Sequence, residues 1–67
     1  MKINIVRIET LMAEKRLTRK ALSDLSGVSP TTLSTVIRRG TAEPKTIGKL
    51  AAGLSVDVTD IIEEGKQ

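Results

Sequence analysis

Apolar side chains recur early in the chain at Ile5, Ile8, Leu11 and Met12, with Lys15 continuing the same spacing and polar residues between them. Intervals of three and four predict an amphipathic helix, which Asn4 can cap and which runs to about Arg16. A second, short helix is predicted behind Thr18, whose hydroxyl can accept from a free backbone N–H. Its Ala21, Leu22 and Leu25 are expected to face inward, and Gly27 supplies the left-handed position that ends it.

Ser29 followed by Pro30 is the strongest local signal in the chain. The serine oxygen can satisfy a free backbone N–H, and proline at the first helical position sacrifices none. A third helix is therefore predicted from Pro30 to about Arg39, where two cations complement the carbonyl end of the helix dipole and Gly40 lets the chain turn. Pro44 can open a fourth helix with Ile47, Leu50, Ala51 and Leu54 on its inner face. Asp57 and Asp60 can cap a final short helix carrying Val58, Ile61 and Ile62. The pattern predicts an all-α chain of five helices, without repeats or low-complexity segments. Ile3, Ile5 and Val6 give the one strand-like signal, as an alternative extended start.

Composition narrows the chemistry. The 67 residues suit a single domain spanning 1–67, and a chain of this size buries only about 60% of the surface its unfolded form exposes. With no Phe, Tyr or Trp, the core is built from Ile, Leu, Val, Met and Ala. The absence of Cys removes disulfides and thiol chemistry, and the absence of His removes the commonest general base and metal ligand. Neither catalysis, a cofactor nor a metal is expected. No apolar run approaches the ~18 residues of a membrane span, and MKINIVRIETL lacks the continuous apolar stretch of a signal peptide, so a cytoplasmic location is expected.

Charge then points to a partner. The net charge is only +3, but Lys15, Arg16, Arg19, Lys20, Arg38, Arg39, Lys45 and Lys49 face only Asp24 and Glu43 across the middle of the chain. Asp57, Asp60, Glu63 and Glu64 follow with no cation among them. A basic middle and an acidic end suit a polyanion such as DNA, although solvated helix faces produce the same pattern. The acids read better as a helix cap and a solvated tail than as a cation site.

The second and third helices are separated only by residues around Gly27, Val28 and Ser29, the length of a helix-turn-helix connection. Ser23 keeps the second helix small where the third approaches, and Val28 can plug the gap between them. At roughly 100° per residue, Leu33, Val36 and Ile37 share one face of the third helix, and Thr31, Thr35 and Arg38 point the opposite way. Threonine offers a hydroxyl and a methyl to a base edge but not the bidentate contact of Arg to guanine, so direct reading of bases is expected to be weak. The same threonines also fit an ordinary solvated face.

The stretch LTRKALSDLSGVSPTTLSTVIRRGTAEPKTIGKLAAGLSVDVTDII, residues 17–62, resembles the Cro/CI-type helix-turn-helix family, also called Xre-like or lambda-repressor-like. The likeness is carried by Leu22, Ser23, Gly27, Val28, Ser29, Leu33, Val36, Pro44, Lys49, Leu50, Ala51, Leu54, Val56 and Ile61. It implies a compact five-helix DNA-binding domain with its motif at about 18–39, and a small regulator, in the main a repressor. It further implies phosphate contacts at Arg19, Thr32, Arg38, Arg39 and Lys45, and base-edge contacts at Pro30, Thr31 and Thr35. A homodimer is expected, joined near Val58 and Ile62, whereas Val56 and Ile61 fit the core better.

Three departures stand out. Arg19 occupies a position where the family often has Gln, and can hold a phosphate more strongly and less selectively. Many members pair an Arg late in the first helix with a Glu near the end of the third, and Met12 and Ile37 stand at those positions here, which suggests an apolar contact in place of an ion pair. Finally, the glycine after the third helix falls one position late, at Gly40, so that the helix end is expected to be extended or distorted. The competing functional reading is a protein-interaction module, such as an antitoxin-like partner with ancillary DNA binding. RNA is disfavoured by the lack of stacking aromatics.

Overall fold

Three helices start by the same device, a polar side chain bent back onto a backbone N–H that has no partner within the helix. In the computed structural model, which describes residues 1–63, Asn4 accepts from Arg7 N–H at 3.0 Å and opens α1 (Ile5–Lys15). Thr18 accepts from Ala21 N–H at 3.0 Å and opens α2 (Arg19–Ser26). Ser29 accepts from Thr32 N–H at 3.2 Å and opens α3 (Pro30–Arg39). The fourth helix, α4 (Pro44–Leu54), starts on Pro44 behind Glu43, which makes no side-chain cap bond.

The ends obey a second rule. Each of the four helices closes on a left-handed residue, at Arg16, Gly27, Gly40 and Ser55. Gly40 donates its N–H to Val36 at 2.8 Å with φ 76°, so the late glycine gives a regular end and α3 is longer rather than distorted. Arg16 at φ 57° and Ser55 at φ 60° occupy the same region with a Cβ attached. That conformation costs a non-glycine residue roughly 1–2 kcal/mol, partly offset by the greater unfolded-state freedom of glycine. Ser55→Gly is therefore expected to stabilise the domain by about 0.5–1 kcal/mol and raise Tm by roughly 3–6 °C, readable by thermal circular dichroism. A lowered Tm would show that the Ser55 side chain contributes more than its backbone costs.

The expected fifth helix is not formed. Val58–Asp60 is a single 3-10 turn, and Asp57 precedes it without a side-chain cap bond. Tertiary bonds compete with helix propagation here. Ile62 pairs antiparallel with Ile3, and Asn4 N–H and Glu63 N–H bond the carbonyls of Ile61 and Lys2 at 2.8 and 3.0 Å. Lys2 bridges Thr41 on the other side, so residues 2 and 3 are extended between the turn after α3 and the C-terminal segment. The strand-like signal at Ile3 thus marks two isolated bridges, while Ile5 and Val6 are helical. Among the described residues there is no strand.

Ile8, Leu22, Leu33, Ile47, Leu50, Leu54 and Ile61 are fully buried, so every element supplies the core except the exposed Val58–Asp60 turn itself. Leu25 does not join them. It is 60% exposed, whereas Ser23 and Ser26 are buried. At roughly 100° per residue Ser26 lies between Leu22 and Ser23 on the helix, and Leu25 lies a full step away from it. The helix is turned toward its two serines because α4 packs there: a Cβ built on Gly53 would sit only 2.8 Å from Ser26 Cβ. Small side chains allow the two helices to approach, and the larger leucine is left outside.

Candidate nucleic-acid interface

The turn between α2 and α3 is held by side-chain hydroxyls as well as by Gly27. Gly27, at φ 79°, donates to Ser23 O at 2.9 Å. The Ser23 hydroxyl donates to the Val28 carbonyl, and Ser26 Oγ accepts from Val28 N–H at 3.2 Å. Ser26 Oγ also lies 3.4 Å from Ser23 O as a long donor contact. Val28 is buried beneath this network, as its predicted plugging role requires. Buried polar groups are costly unless paired, and among the described residues no buried side-chain polar atom lacks a partner. The two serines therefore brace the turn from which α3 leaves α2, a role beyond the small size that the sequence assigns to Ser23.

On α3, Leu33 and Val36 are buried and Ile37 is half-buried against the core. This anchors the helix by one face. Pro30, Thr31, Thr32, Arg38 and Arg39 are exposed and Thr35 is half-buried. The hydroxyls on this helix are not equivalent. Ser29 Oγ and Thr32 Oγ1 lie 2.9 Å apart and share one hydrogen bond, so one hydroxyl proton of the pair stays available for an outside acceptor such as a phosphate oxygen. Thr35 Oγ1 donates to Thr31 O at 3.0 Å, so its proton is already used within the helix.

Thr32, Thr35, Val36 and Arg39 form one wall of a surface groove. The other wall comes from Met1, the turn residues Thr41, Ala42 and Glu43, and Pro44 and Thr46 at the start of α4. Of the expected contact residues, the groove gathers Thr32, Thr35 and Arg39. Pro30, Thr31 and Arg38 lie elsewhere on α3, Arg19 is the first residue of α2, and Lys45 is the second of α4. Thr41 and Thr46 were not singled out by periodicity, because a turn and a different helix bring them beside α3. Among the described residues Glu43 is the one acid in the groove lining, where its charge opposes an anion.

Among the described residues no group of three or more His, Cys, Asp or Glu could hold a metal ion, and Glu64 lies outside them. No helix of the described residues is long and apolar enough to cross a membrane. Val58 is exposed and Ile62 half-buried, while Ile61 is in the core and Val56 packs against it.

The family model described as the Cro/C1-type HTH DNA-binding domain matches residues 7–64, most of the chain. Comparison with curated proteins and with solved structures gives no match.

Proposed function

The chain belongs to the Cro/C1-type helix-turn-helix DNA-binding domain family, and from that premise we propose that it is a small cytoplasmic transcriptional regulator, a repressor, that inserts α3 into the major groove of duplex DNA. The observation that carries this reading is the division of α3 into a buried face through Leu33 and Val36 and an outward face of threonines and arginines. The whole chain acts as one domain. Arg19, Thr32, Arg38, Arg39 and Lys45 hold phosphates, and Pro30, Thr31 and Thr35 meet base edges.

One such domain makes too few contacts for tight site selection, so two copies read half-sites about one helical turn apart. Val58 and Ile62 are the apolar residues assigned to their contact. Val58 contributes more of the exposed surface, because Ile62 is partly covered in its bridge to Ile3.

Selection from a pool of random duplexes at near-physiological salt tests the proposal, and an enriched palindrome is the expected result. On the enriched duplex, Arg38→Ala or Arg39→Ala is expected to weaken binding to all sequences and to lower the slope of log affinity against log salt by about 1. Unchanged slopes in both variants would remove these residues from the phosphate set. Uniform weak retention of the pool would favour the protein-interaction reading, for which the exposed Leu25 beside the turn is the supporting observation.

Glu43 supplies a prediction of opposite sign. Removing this groove acid by Glu43→Gln is expected to tighten binding to any duplex by about 2–5-fold at low salt, since a single exposed charge contributes on the order of 1 kcal/mol or less. Fluorescence anisotropy across a salt series reads this directly. Unchanged binding across the salt series would place DNA away from the groove.

A further inference from the structure

The bond from Thr35 Oγ1 to Thr31 O, at 3.0 Å, fixes what Thr35 can offer to DNA. A threonine hydroxyl has one proton to donate, and here the carbonyl one turn earlier takes it. Left over are the oxygen's lone pairs and the γ-methyl. Thr35 can accept a hydrogen bond and make apolar contact, but it cannot donate. Pro30, the first residue of the helix, adds a ring of carbons and no N–H.

The major-groove edges respond differently to such a surface. Guanine presents two acceptors, O6 and N7, which need donors. Adenine N7 and thymine O4 are acceptors too, so neither pair gains a partner for these atoms from Thr35. What an A·T pair adds is the thymine 5-methyl, which can pack against the threonine methyl while the adenine N6 amino group donates to Oγ1. Cytosine offers an amino donor as well but carries no methyl, so the methyl is what distinguishes the pairs.

We infer that Thr35 is a specificity-determining residue that selects an A·T pair through the thymine 5-methyl group. This rests on the DNA-binding reading above. Under it, the threonine-rich helix reads sequence by carbon contact, with the arginines of its last turn confined to phosphate.

The experiment starts from the duplex enriched by selection and replaces each thymine in turn with deoxyuridine, which removes only the 5-methyl. For the unaltered protein, one replacement per half-site is expected to weaken binding roughly fourfold, the value of one buried methyl group, and the others to have little effect. Thr35→Ser keeps the hydroxyl and loses the methyl, so it is expected to bind the thymine duplex about fourfold less tightly and to lose the sensitivity to that deoxyuridine. Thr35→Val keeps a methyl and is expected to retain it. The inference is overturned if an enriched site shows no deoxyuridine sensitivity, if Thr35→Ser leaves that sensitivity intact, or if guanine occupies the position coupled to Thr35. An absence of any enriched sequence would instead remove sequence-specific reading itself, and this inference with it.

Discussion

Gly53→Ala is expected to destabilise the domain by about 2 kcal/mol, whereas Gly48→Ala, the same change in the same helix, is expected to stabilise it by roughly 0.5–1 kcal/mol. In an unobstructed helix, alanine replaces glycine with a gain, because the unfolded chain loses freedom and the helix loses none. Gly48 is such a site, with nothing within 4 Å of the added Cβ. At Gly53 the added carbon would meet Ser26 Cβ at 2.8 Å and both Cα and N of Ser26 at 2.9 Å. Two of those three atoms are backbone, so a rotamer change cannot relieve the contact and α2 must move away from α4. The propensity gain of up to about 1 kcal/mol is then outweighed by an overpacking cost of about 1–3 kcal/mol or more.

Urea denaturation of the two variants measures the difference. Ser26→Gly is not expected to rescue Gly53→Ala, since it leaves the backbone atoms in place. Equal effects at the two glycines would show that the α2–α4 spacing is not set by Gly53. The variant also bears on the DNA-binding element, because Ser26 receives the Val28 N–H that holds the turn. Displacing α2 re-aims α3, and DNA affinity is expected to fall even at temperatures where Gly53→Ala remains folded.

Local chemistry was legible in the sequence, and tertiary choice was not. Asn4, Thr18 and Ser29 cap helices, Gly27 and Gly40 end them, and Pro30 and Pro44 begin them, as their side chains and backbone preferences predict. None of these depends on a distant part of the chain. Hydrophobicity argues for burial of Leu25, but the close contact at Gly53 requires the serine face instead. The last helix differs for a related reason: Ile61 and Ile62 fit a short amphipathic turn, but bonds from the N-terminal segment hold this stretch instead. Spacing likewise revealed the outward face of α3, yet the second wall of the groove came from residues whose only link to α3 is spatial. The partner of each hydroxyl, a serine hydroxyl for Thr32 and a backbone carbonyl for Thr35, is a property of side-chain geometry with no sequence signature.

The departure at Met12 and Ile37 leads to the second large effect. Met12 is buried and Ile37 half-buried against the same core. Placing an arginine at buried position 12, with Ile37 standing where many family members have the partner Glu, is expected to cost about 2–3 kcal/mol, less than a fully enclosed charge because the long side chain can reach toward water. Ile37→Glu alone is also expected to destabilise. Together, Met12→Arg with Ile37→Glu restores the charge pair found at these positions in many family members, and is expected to recover about 1–2 kcal/mol relative to the sum of the single changes. The double variant is not expected to exceed the parent, since an apolar pair of similar volume carries no desolvation cost. Denaturation of all four proteins completes the cycle. A coupling near zero would mean that the two side chains do not meet, and that the loss of both charges reflects independent changes rather than one contact exchanged for another.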